Sequence, residues 1–310
     1  MRIVVGVDGS AASRSALELV ASTSWPTGTE VRLVGAYELA ADWSGLTPLP
    51  TETGVDEEAE GAFFDEIQAL AEPLRQGGHP TETVVARGRP ADVLLSEADD
   101  LRADLLVVGS RGLGVAASAL VGSVSAALVD HASCPVLVAR GPSVSRILVA
   151  TDGSRSAEAI PSVLIAWNVF RDAPIDVLSV APPVTDGVGA ALVSGLALVD
   201  HRPSGADHEV DRHRVMADEM AARLVAGGWL AASVLRYGDA PRQIEAAAVE
   251  WGADLIITGS RGLSGLRRVL IGSVAHHVLL HSRCSVLVMR GHVPARQSRE
   301  AWLPSPAAPG

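Results

Sequence analysis

The sequence predicts an α/β protein made of two tandem, open, doubly wound parallel sheets, and three observations support this. The 310-residue chain carries the same sequence pattern twice. Within each copy, short apolar runs rich in β-branched residues alternate with helical patterns, which is typical of a parallel sheet covered on both faces. A short segment, "RGPSVSR" from Arg140 to Arg146, joins the copies, so each copy is expected to form its own domain.

The repeat has the length of a whole domain. "RIVVGVDGSAASRSALE" from Arg2 matches "RILVATDGSRSAEAIP" from Arg146 at an offset of 144 residues, and "RADLLVVGSRG" from Arg102 matches "GADLIITGSRG" from Gly252 at an offset of 150. Such a period excludes a solenoid of short repeats. The predicted domains are residues 1–141 and 145–291. Residues 292–310 contain several prolines and no periodicity, which predicts a disordered tail.

Each element of the first copy is predicted from its own pattern. The predicted strands are Ile3–Val7, Val31–Tyr37, Thr83–Arg87, Leu105–Val108 and Val136–Ala139. The predicted helices are Ala12–Ser22, Asp56–Arg75, Ala91–Leu101 and Ser123–His131. Right-handed crossovers between five parallel strands favour a Rossmann-like order of 3-2-1-4-5. In that order the binding crevice lies between the ends of strands 1 and 4, where the connections diverge.

The repeated glycine and serine residues are expected to converge on this crevice. Strand 1 ends in "VDGS" or "TDGS", and strand 4 ends in "VGSRG" or "TGSRG". Gly109 and Gly112 are expected to permit close backbone approach and positive φ angles. Gly122-Ser123 and Gly272-Ser273 stand at helix starts, where free N–H groups and a hydroxyl favour an anion. The alternative is a tight turn in "GSRG" with Ser123 as a simple helix N-cap.

The spacing of these residues resembles a known signature. Gly109-x2-Gly112-x9-Gly122-Ser123 and Gly259-x2-Gly262-x9-Gly272-Ser273 are similar to the ATP-binding signature of the universal stress protein family. The phrases "VGVDGS", "ADLLVVGSRG" and "GSVSAALVDHASCPVLV" resemble the same family. The likeness covers the chain apart from the tail, so the chain resembles a tandem universal stress protein. It implies the ATP-binding subtype and an adenine-nucleotide alpha-hydrolase-like fold.

The resemblance also implies which residues contact the nucleotide. The aspartates after strand 1 would lie near ribose and phosphates, where they could accept ribose hydroxyls or hold Mg²⁺. The loop glycines would pack on ribose and the α/β-phosphates, the helix starts would bind the β/γ-phosphates, and strand 2 would hold adenine. The expected nucleotide-binding residues are Asp8, Ala36, Gly109, Arg111, Gly112, Gly122, Ser123, Val124, Asp152, Val180, Gly259, Arg261, Gly262, Arg267, Arg268, Gly272, Ser273 and Val274.

The two copies differ inside the loop. Ala117 and Ser118 of the first copy correspond to Arg267 and Arg268 of the second, and arginines near a triphosphate add charge-assisted bonds. Residues 1–142 hold 9 arginines against 20 acidic residues, whereas residues 143–310 hold 16 of each. A charge of −11 in the first half repels a polyanion, so the sequence predicts a tighter second site. The alternative is a solvated arginine pair on a flexible loop.

Composition excludes several functions. All 25 basic residues are arginine, which excludes a Walker P-loop lysine and Schiff-base catalysis. The apolar runs are too short for a membrane span, and the acidic first half argues against nucleic acid as a partner. Cys134 and Cys284 occupy equivalent positions and are expected to be small buried residues in a reducing cytoplasm.

Other residue patterns carry weaker signals. His277 and His281 form an i, i+4 pair of the kind that ligates metals, but His281 falls at a helix C-terminus, where it would favourably meet the dipole. No metal site is therefore predicted. No repeated Ser/His/Asp or Cys/His arrangement indicates a catalytic triad.

The last strands are expected to form a seam between the copies. Val136–Val138 and Val286–Val288 are apolar edges that need covering, and the short join forces the two sheets side by side. An internal pseudo-dimer that pairs further into a homodimer is predicted. The alternative is that these valines only face their own helices.

Three functional hypotheses follow. The leading one is an ATP-binding regulatory module of the stress response. The second is a slow ATPase or adenylating enzyme of the same fold, and the third is a scaffold without nucleotide.

Overall fold

The architecture is a single ten-stranded sheet with helices on both faces. The computed structural model describes residues 1–38, 53–112, 121–183, 204–260 and 271–290. The predicted tail, residues 292–310, lies outside the described residues. Among the described helices, none combines the length and the apolar character that crossing a membrane requires.

The strands and helices of the described residues alternate along the chain. The strands are β1 (Arg2–Val7), β2 (Glu30–Tyr37), β3 (Thr81–Arg87), β4 (Leu105–Gly109), β5 (Val136–Ala139), β6 (Ile147–Thr151), β7 (Ile175–Ala181), β8 (Ala231–Tyr237), β9 (Leu255–Gly259) and β10 (Ser285–Met289). The helices are α1 (Ala11–Ser22), α2 (Thr53–Gln76), α3 (Pro90–Asp100), α4 (Ser123–His131), α5 (Arg155–Glu158), α6 (Ile160–Trp167), α7 (Ser204–Ala226), α8 (Ala240–Trp251) and α9 (Ser273–His281). In the first half every predicted strand and helix is confirmed, with ends that differ by three residues or fewer.

The strand order confirms the predicted topology. The sheet runs β3-β2-β1-β4-β5-β10-β9-β6-β7-β8, so each half has the order 3-2-1-4-5. Strands pair in parallel within each half, with Ile3 beside Leu105 and Ile147 beside Leu255. The switch points therefore lie between β1 and β4 and between β6 and β9.

The core lies on both faces of the sheet because the strands are buried on both sides. On one face, Ile3 and Val5 pack with residues of α1 and α2. On the other, Val4 and Leu106 pack with residues of α3 and α4. Alternation along a strand sends successive side chains to opposite faces, which explains the continuous apolar runs of the sequence.

The two halves meet through their last strands, as the short join predicted. Strands β5 and β10 pair in antiparallel fashion, with Leu137 opposite Leu287 and Val138 opposite Val286. All four side chains are at most 1% exposed. The seam therefore continues the hydrogen-bonded sheet from one half into the other and leaves neither last strand as an open edge.

Two arginines, Arg290 buried and Arg140 half-buried, reinforce this seam reciprocally. Arg140, which follows β5, donates to the carbonyls of Leu279 at 2.5 Å and Cys284 at 2.7 Å in the other half. Arg290, which follows β10, donates to the carbonyl of Val129. Each guanidinium thus satisfies carbonyl groups near the C-terminus of a helix in the opposite half, where a positive charge is favourable. Burial lowers the pKa of Arg140 to about 10, so this side chain stays charged at neutral pH.

Candidate functional site

The turn after β1 holds its aspartate firmly. Asp8 Oδ1 accepts a hydrogen bond from the Ser10 backbone N–H at 3.0 Å, and Ser10 caps α1 by accepting from Ser13 N at 3.1 Å. The second half repeats the turn, with Asp152 Oδ1 accepting from Ser154 N at 2.9 Å. Within the part of the chain that the structure describes, no further hydrogen bond engages the second carboxylate oxygen of either aspartate.

Two glycines with positive φ angles lie in this turn, one in each half. Gly9 has φ +75° and Gly153 has φ +72°, values that favour glycine. The expectation of positive φ at Gly109 and Gly112 is wrong, because neither residue adopts it. Their glycine character has another cause, which is the closeness of neighbouring atoms.

The loop glycines permit close packing at the crevice. A Cβ atom on Gly109 would lie 2.5 Å from the carbonyl carbon of Ala12, and one on Gly259 would lie 2.9 Å from Ala157 N. A Cβ on Gly112 would lie 2.6 Å from Asp8 Oδ2. Gly109 and Gly259, the last residues of β4 and β9, therefore let the chain pass directly over the starts of α1 and α5, and Gly112 lies against Asp8 Oδ2.

The base of each glycine-rich loop is closed by one backbone hydrogen bond. Gly122 N donates to Ser110 O at 2.7 Å, and Gly272 N donates to Ser260 O at 2.7 Å. These two N–H groups are therefore engaged within the protein, which corrects the expectation that they are free for phosphate. The N–H groups of the three residues that follow each glycine have no acceptor within their helices.

The helix starts leave their serine hydroxyls exposed. Gly122 is the N-cap of α4, with φ −80° and no side-chain cap bond, and Gly272 has the same role in α9. The alternative of Ser123 as the N-cap is therefore wrong. Ser123 and Ser273 are the first helical residues and are exposed, so each helix start offers free N–H groups and one hydroxyl to an anion.

The first-half residues predicted from the sequence line one cleft. Its volume is about 740 Å³. The predicted residues that line it are Asp8, Ala36, Gly109, Arg111, Gly112, Gly122, Ser123 and Val124. The cleft thus gathers every first-half residue that the resemblance implied, and it lies at the switch point between β1 and β4. We call it the first crevice.

Sequence reasoning missed several side chains of the first crevice. Glu38, Arg89, Asp92 and His131 also line it. Arg89 is the N-cap residue of α3, in the "GRP" segment that follows β3. Because β3 is not adjacent to the switch point in the sheet, no spacing rule placed this arginine at the site.

The second-half residues gather in a smaller cleft, which we call the second crevice. Its volume is about 120 Å³. The predicted residues that line it are Asp152, Val180, Gly259, Gly272, Ser273 and Val274. The other four predicted residues, Arg261, Gly262, Arg267 and Arg268, lie outside the described residues, as do Ala117 and Ser118 of the first half.

A polar pair beneath the second turn distinguishes the second half. Ser179 Oγ donates to the carbonyl of Thr151 at 3.0 Å and accepts from His213 Nδ1 at 2.8 Å. His213 is only 7% exposed. Burial, with a smaller contribution from the charge of Arg212, lowers the pKa of His213 below its ordinary value. The neutral ring with its proton on Nδ1 is the form that this site stabilises.

The cysteines have the properties of structural residues. Both are free thiols; Cys134 is buried as expected, whereas Cys284 is only half-buried. Burial raises the pKa of Cys134 to about 12. The pKa of Cys284 is also raised, chiefly by burial. Since the thiolate is the reactive form of cysteine, these environments disfavour nucleophilic chemistry.

Fold and site together define a class of protein: a tandem, doubly wound α/β protein with a crevice beside a helix start at each switch point. The Universal stress protein family model matches residues 1–140 and again residues 143–290. The chain therefore belongs to the universal stress protein family, with two copies of the family unit.

Curated relatives agree with this assignment over two different lengths. A universal stress protein of Mycobacterium tuberculosis is 28% identical over 319 residues, covering 93% of this chain and 96% of the relative. The Thermus aquaticus universal stress protein in the QAH/OAS sulfhydrylase 3'region is 32% identical over 139 residues, covering 44% of this chain and 97% of the relative. The first relative thus matches both halves, and the second matches one unit.

Solved structures show the same fold. A universal stress protein from Archaeoglobus fulgidus has a TM-score of 0.64 at 20% identity, covering 94% of this chain and 98% of its own. A structure described as a putative universal stress protein from Pseudomonas aeruginosa has a TM-score of 0.60 at 17% identity, covering 93% of this chain and 92% of its own.

Proposed function

We propose that this protein binds ATP in its crevices and acts as a regulatory module of the stress response. The observation that carries the proposal is the convergence of the predicted residues on one cleft in each half. The convergence includes residues from the ends of two neighbouring strands and from the start of a helix. These residues are far apart in the sequence, and it is the fold that brings them together.

The first crevice fits a nucleotide in size and polarity. Its volume of about 740 Å³ falls within the roughly 300–1,000 Å³ typical of small-molecule sites. The start of α4 would bind phosphate oxygens through the N–H groups of residues 123–125 and the Ser123 hydroxyl. Arg89 and Arg111 line the same cleft and would add charge-assisted bonds to phosphates.

The remaining walls suit the nucleoside. Val34, Ala36 and Leu94 line the crevice and would pack against a flat apolar base. Asp8 Oδ2, which faces Gly112, would accept a ribose hydroxyl or hold Mg²⁺ against the phosphates. This gives the crevice an apolar wall for adenine and a polar wall for the triphosphate.

A regulatory role fits the chain better than an enzymatic one. The chain contains no lysine, so the lysine that P-loop NTPases place against the phosphates is missing. A module that holds ATP in two crevices of one rigid sheet would report the nucleotide level to a partner. We place it in the reducing cytoplasm, where free thiols such as Cys134 and Cys284 persist, and we expect the pseudo-dimer to associate further into a homodimer.

Calorimetric titration with ATP, with and without Mg²⁺, tests the proposal. We expect saturable binding, and a thermal shift of the same protein preparation, since a ligand that binds only the folded state stabilises it. ADP and AMP serve as comparisons, because the phosphates carry much of the expected interaction. Absence of heat and of any thermal shift at millimolar ATP would refute ATP binding.

A second measurement separates signal from substrate. The protein is incubated with ATP for many hours, and the nucleotides are separated and quantified. A regulatory module returns the ATP intact, whereas release of ADP, AMP or pyrophosphate in proportion to protein concentration identifies the enzyme alternative. Sedimentation velocity with and without ATP tests the homodimer.

A further inference from the structure

Three metal-ligating side chains meet in the second half, and none of them is among the residues that line the second crevice. Glu245 lies on α8, and His277 and His281 lie on α9. One ligand atom from each residue lies within 4.8 Å of the other two. Helices α8 and α9 thus present a His₂Glu donor set on one side of the sheet.

A backbone hydrogen bond determines which ring nitrogen of His281 is free. His281 Nδ1 lies 2.9 Å from the carbonyl of His277, and since a carbonyl only accepts, Nδ1 carries the proton. His281 Nε2 is then left with a free lone pair. A backbone carbonyl that holds the other ring nitrogen is the usual way in which proteins orient a histidine ligand.

The two rings are already adjacent. The imidazoles of His277 and His281 stack with centroids 4.1 Å apart and planes 24° apart. Both rings therefore lie within reach of a single cation.

Glu245 supplies the third ligand atom, and one of its carboxylate oxygens accepts no hydrogen bond among the described residues. This oxygen, Oε1, is buried. His277 Nε2 lies 3.2 Å from it, which is an ion-pair distance if that ring is protonated, but the contact lacks hydrogen-bond geometry. A buried carboxylate oxygen without a donor is unfavourable, and a cation between Oε1 and the histidine nitrogens would satisfy it.

We propose that Glu245, His277 and His281 bind a divalent transition metal, with Zn²⁺ as the best match. Two imidazoles and one carboxylate form a known zinc ligand set. His281 is exposed, so water would complete the coordination. The first half has Leu95, Ala127 and His131 at the corresponding positions, which restricts the site to the second half.

The test uses the full chain without a histidine tag. Zn²⁺ binding is measured by calorimetry, and Co²⁺ serves as a spectroscopic probe whose visible absorption reports nitrogen and oxygen coordination. The variants are Glu245→Gln, His277→Ala and His281→Ala. Each should weaken binding by more than about 10-fold, because loss of even an outer-shell partner costs 10–100-fold in affinity.

His276→Ala is the matched control. His276 is exposed and lies on the same helix but outside the cluster, so this variant should bind like the wild type. One equivalent of Zn²⁺ with the expected variant pattern supports the site. A wild-type chain without Co²⁺ absorption or a Zn²⁺-dependent thermal shift overturns it, and so does a His276→Ala variant that loses binding as much as His277→Ala.

Discussion

The two crevices share a backbone plan and differ in the space that side chains leave. The first has a volume of about 740 Å³ and the second about 120 Å³. Gly6 and Val34 line the first, whereas Ala150 and Leu178 occupy the corresponding places in the second. A methyl group at one position and a longer side chain at the other fill part of the volume, so duplication preserved the topology while the walls diverged.

The layer beneath the crevices shows the same divergence in polarity. In the first half, a Cβ on Gly35 would meet the rings and methyls of Phe63 and Ile67, the nearest atom at 2.1 Å. In the second half, Ser179 replaces the glycine and pairs with His213. One half thus packs apolar side chains against its second strand, whereas the other supports a buried hydrogen bond.

Some differences between the halves favour ligand binding in the first crevice, and others favour binding in the second. The first crevice is larger and includes Arg89, where the second half has Asp239 at the corresponding helix start. The sequence favours the second site through Arg267 and Arg268, which lie outside the described residues. The predicted order therefore stays a prediction that binding experiments on the two halves can decide.

The largest expected effect concerns the seam, to which each half contributes its last strand. The double variant Val138→Lys/Val288→Lys would introduce two charges, each at a position that is 0% exposed. Burying an unpaired ammonium is very unfavourable, so we expect a loss of more than about 4 kcal/mol. Thermal unfolding and sedimentation measure the result. Each single variant should lose less stability than the double variant, and the two single variants should lose similar amounts.

Val249→Lys is the control for the seam, because this side chain is 78% exposed. It should leave the melting temperature nearly unchanged. If the double seam variant keeps the wild-type shape and melting temperature, the β5–β10 pairing does not hold the two halves together.

The second effect is the removal of the reciprocal arginines. Arg140→Ala and Arg290→Ala would each leave buried helix-end carbonyls without a donor. Unsatisfied buried groups cost about 1–3 kcal/mol, so both variants should unfold at lower denaturant concentration. Arg283→Ala, at an exposed position, is the control. Equal stability of all three variants would show that the arginines add nothing to the seam.

The sequence predicted the fold well because its determinants are local. Apolar runs and helical periodicity placed the elements within three residues, and the doubly wound order located the crevice at the ends of β1 and β4. Prediction from sequence failed for features that depend on contacts between elements distant in the sequence. The glycine requirement at Gly109 comes from the backbone of α1, and the Gly122 N–H is taken by Ser110. Crevice volume and the approach of Glu245 to His277 depend on packing that no spacing rule contains.

The third prediction compares the two nucleotide sites directly. Gly122→Val and Gly272→Val each place a bulky side chain at the N-cap of a helix start, and each should weaken its own site by at least about 10-fold, which is 1.4 kcal/mol. If the second site is tighter, Gly272→Val removes the high-affinity phase of the ATP titration. Removal of that phase by Gly122→Val would reverse the order.

Gly141→Val is the control for both glycine variants. A Cβ at Gly141 meets no atom within 4 Å, and this residue lies in the join rather than in a crevice. It should titrate like the wild type, so that losses in the other two variants report the sites and not the backbone.

The smallest expected effect tests the polar pair that only the second half has. Burial lowers the pKa of His213 in the folded protein, while the unfolded chain titrates near about 6.5. Between these two values the unfolded state binds more protons, so stability rises with pH in this window. As pH falls from about 7.5 through 6.5, the wild type should lose stability until the folded-state pKa is passed.

Ser179→Gly with His213→Phe introduces the residues that the first half has at these positions, Gly35 and Phe63, and should remove this pH-dependent loss. The groups whose charges act on His213 are Arg212, Glu209 and Asp152, and all three remain in the variant. Denaturant unfolding of both proteins at several pH values gives the two slopes. His208→Gln, which changes an exposed histidine of the same helix, should keep the wild-type slope. If the double variant also keeps it, the pH dependence arises elsewhere, because removing a buried neutral histidine has to flatten the curve.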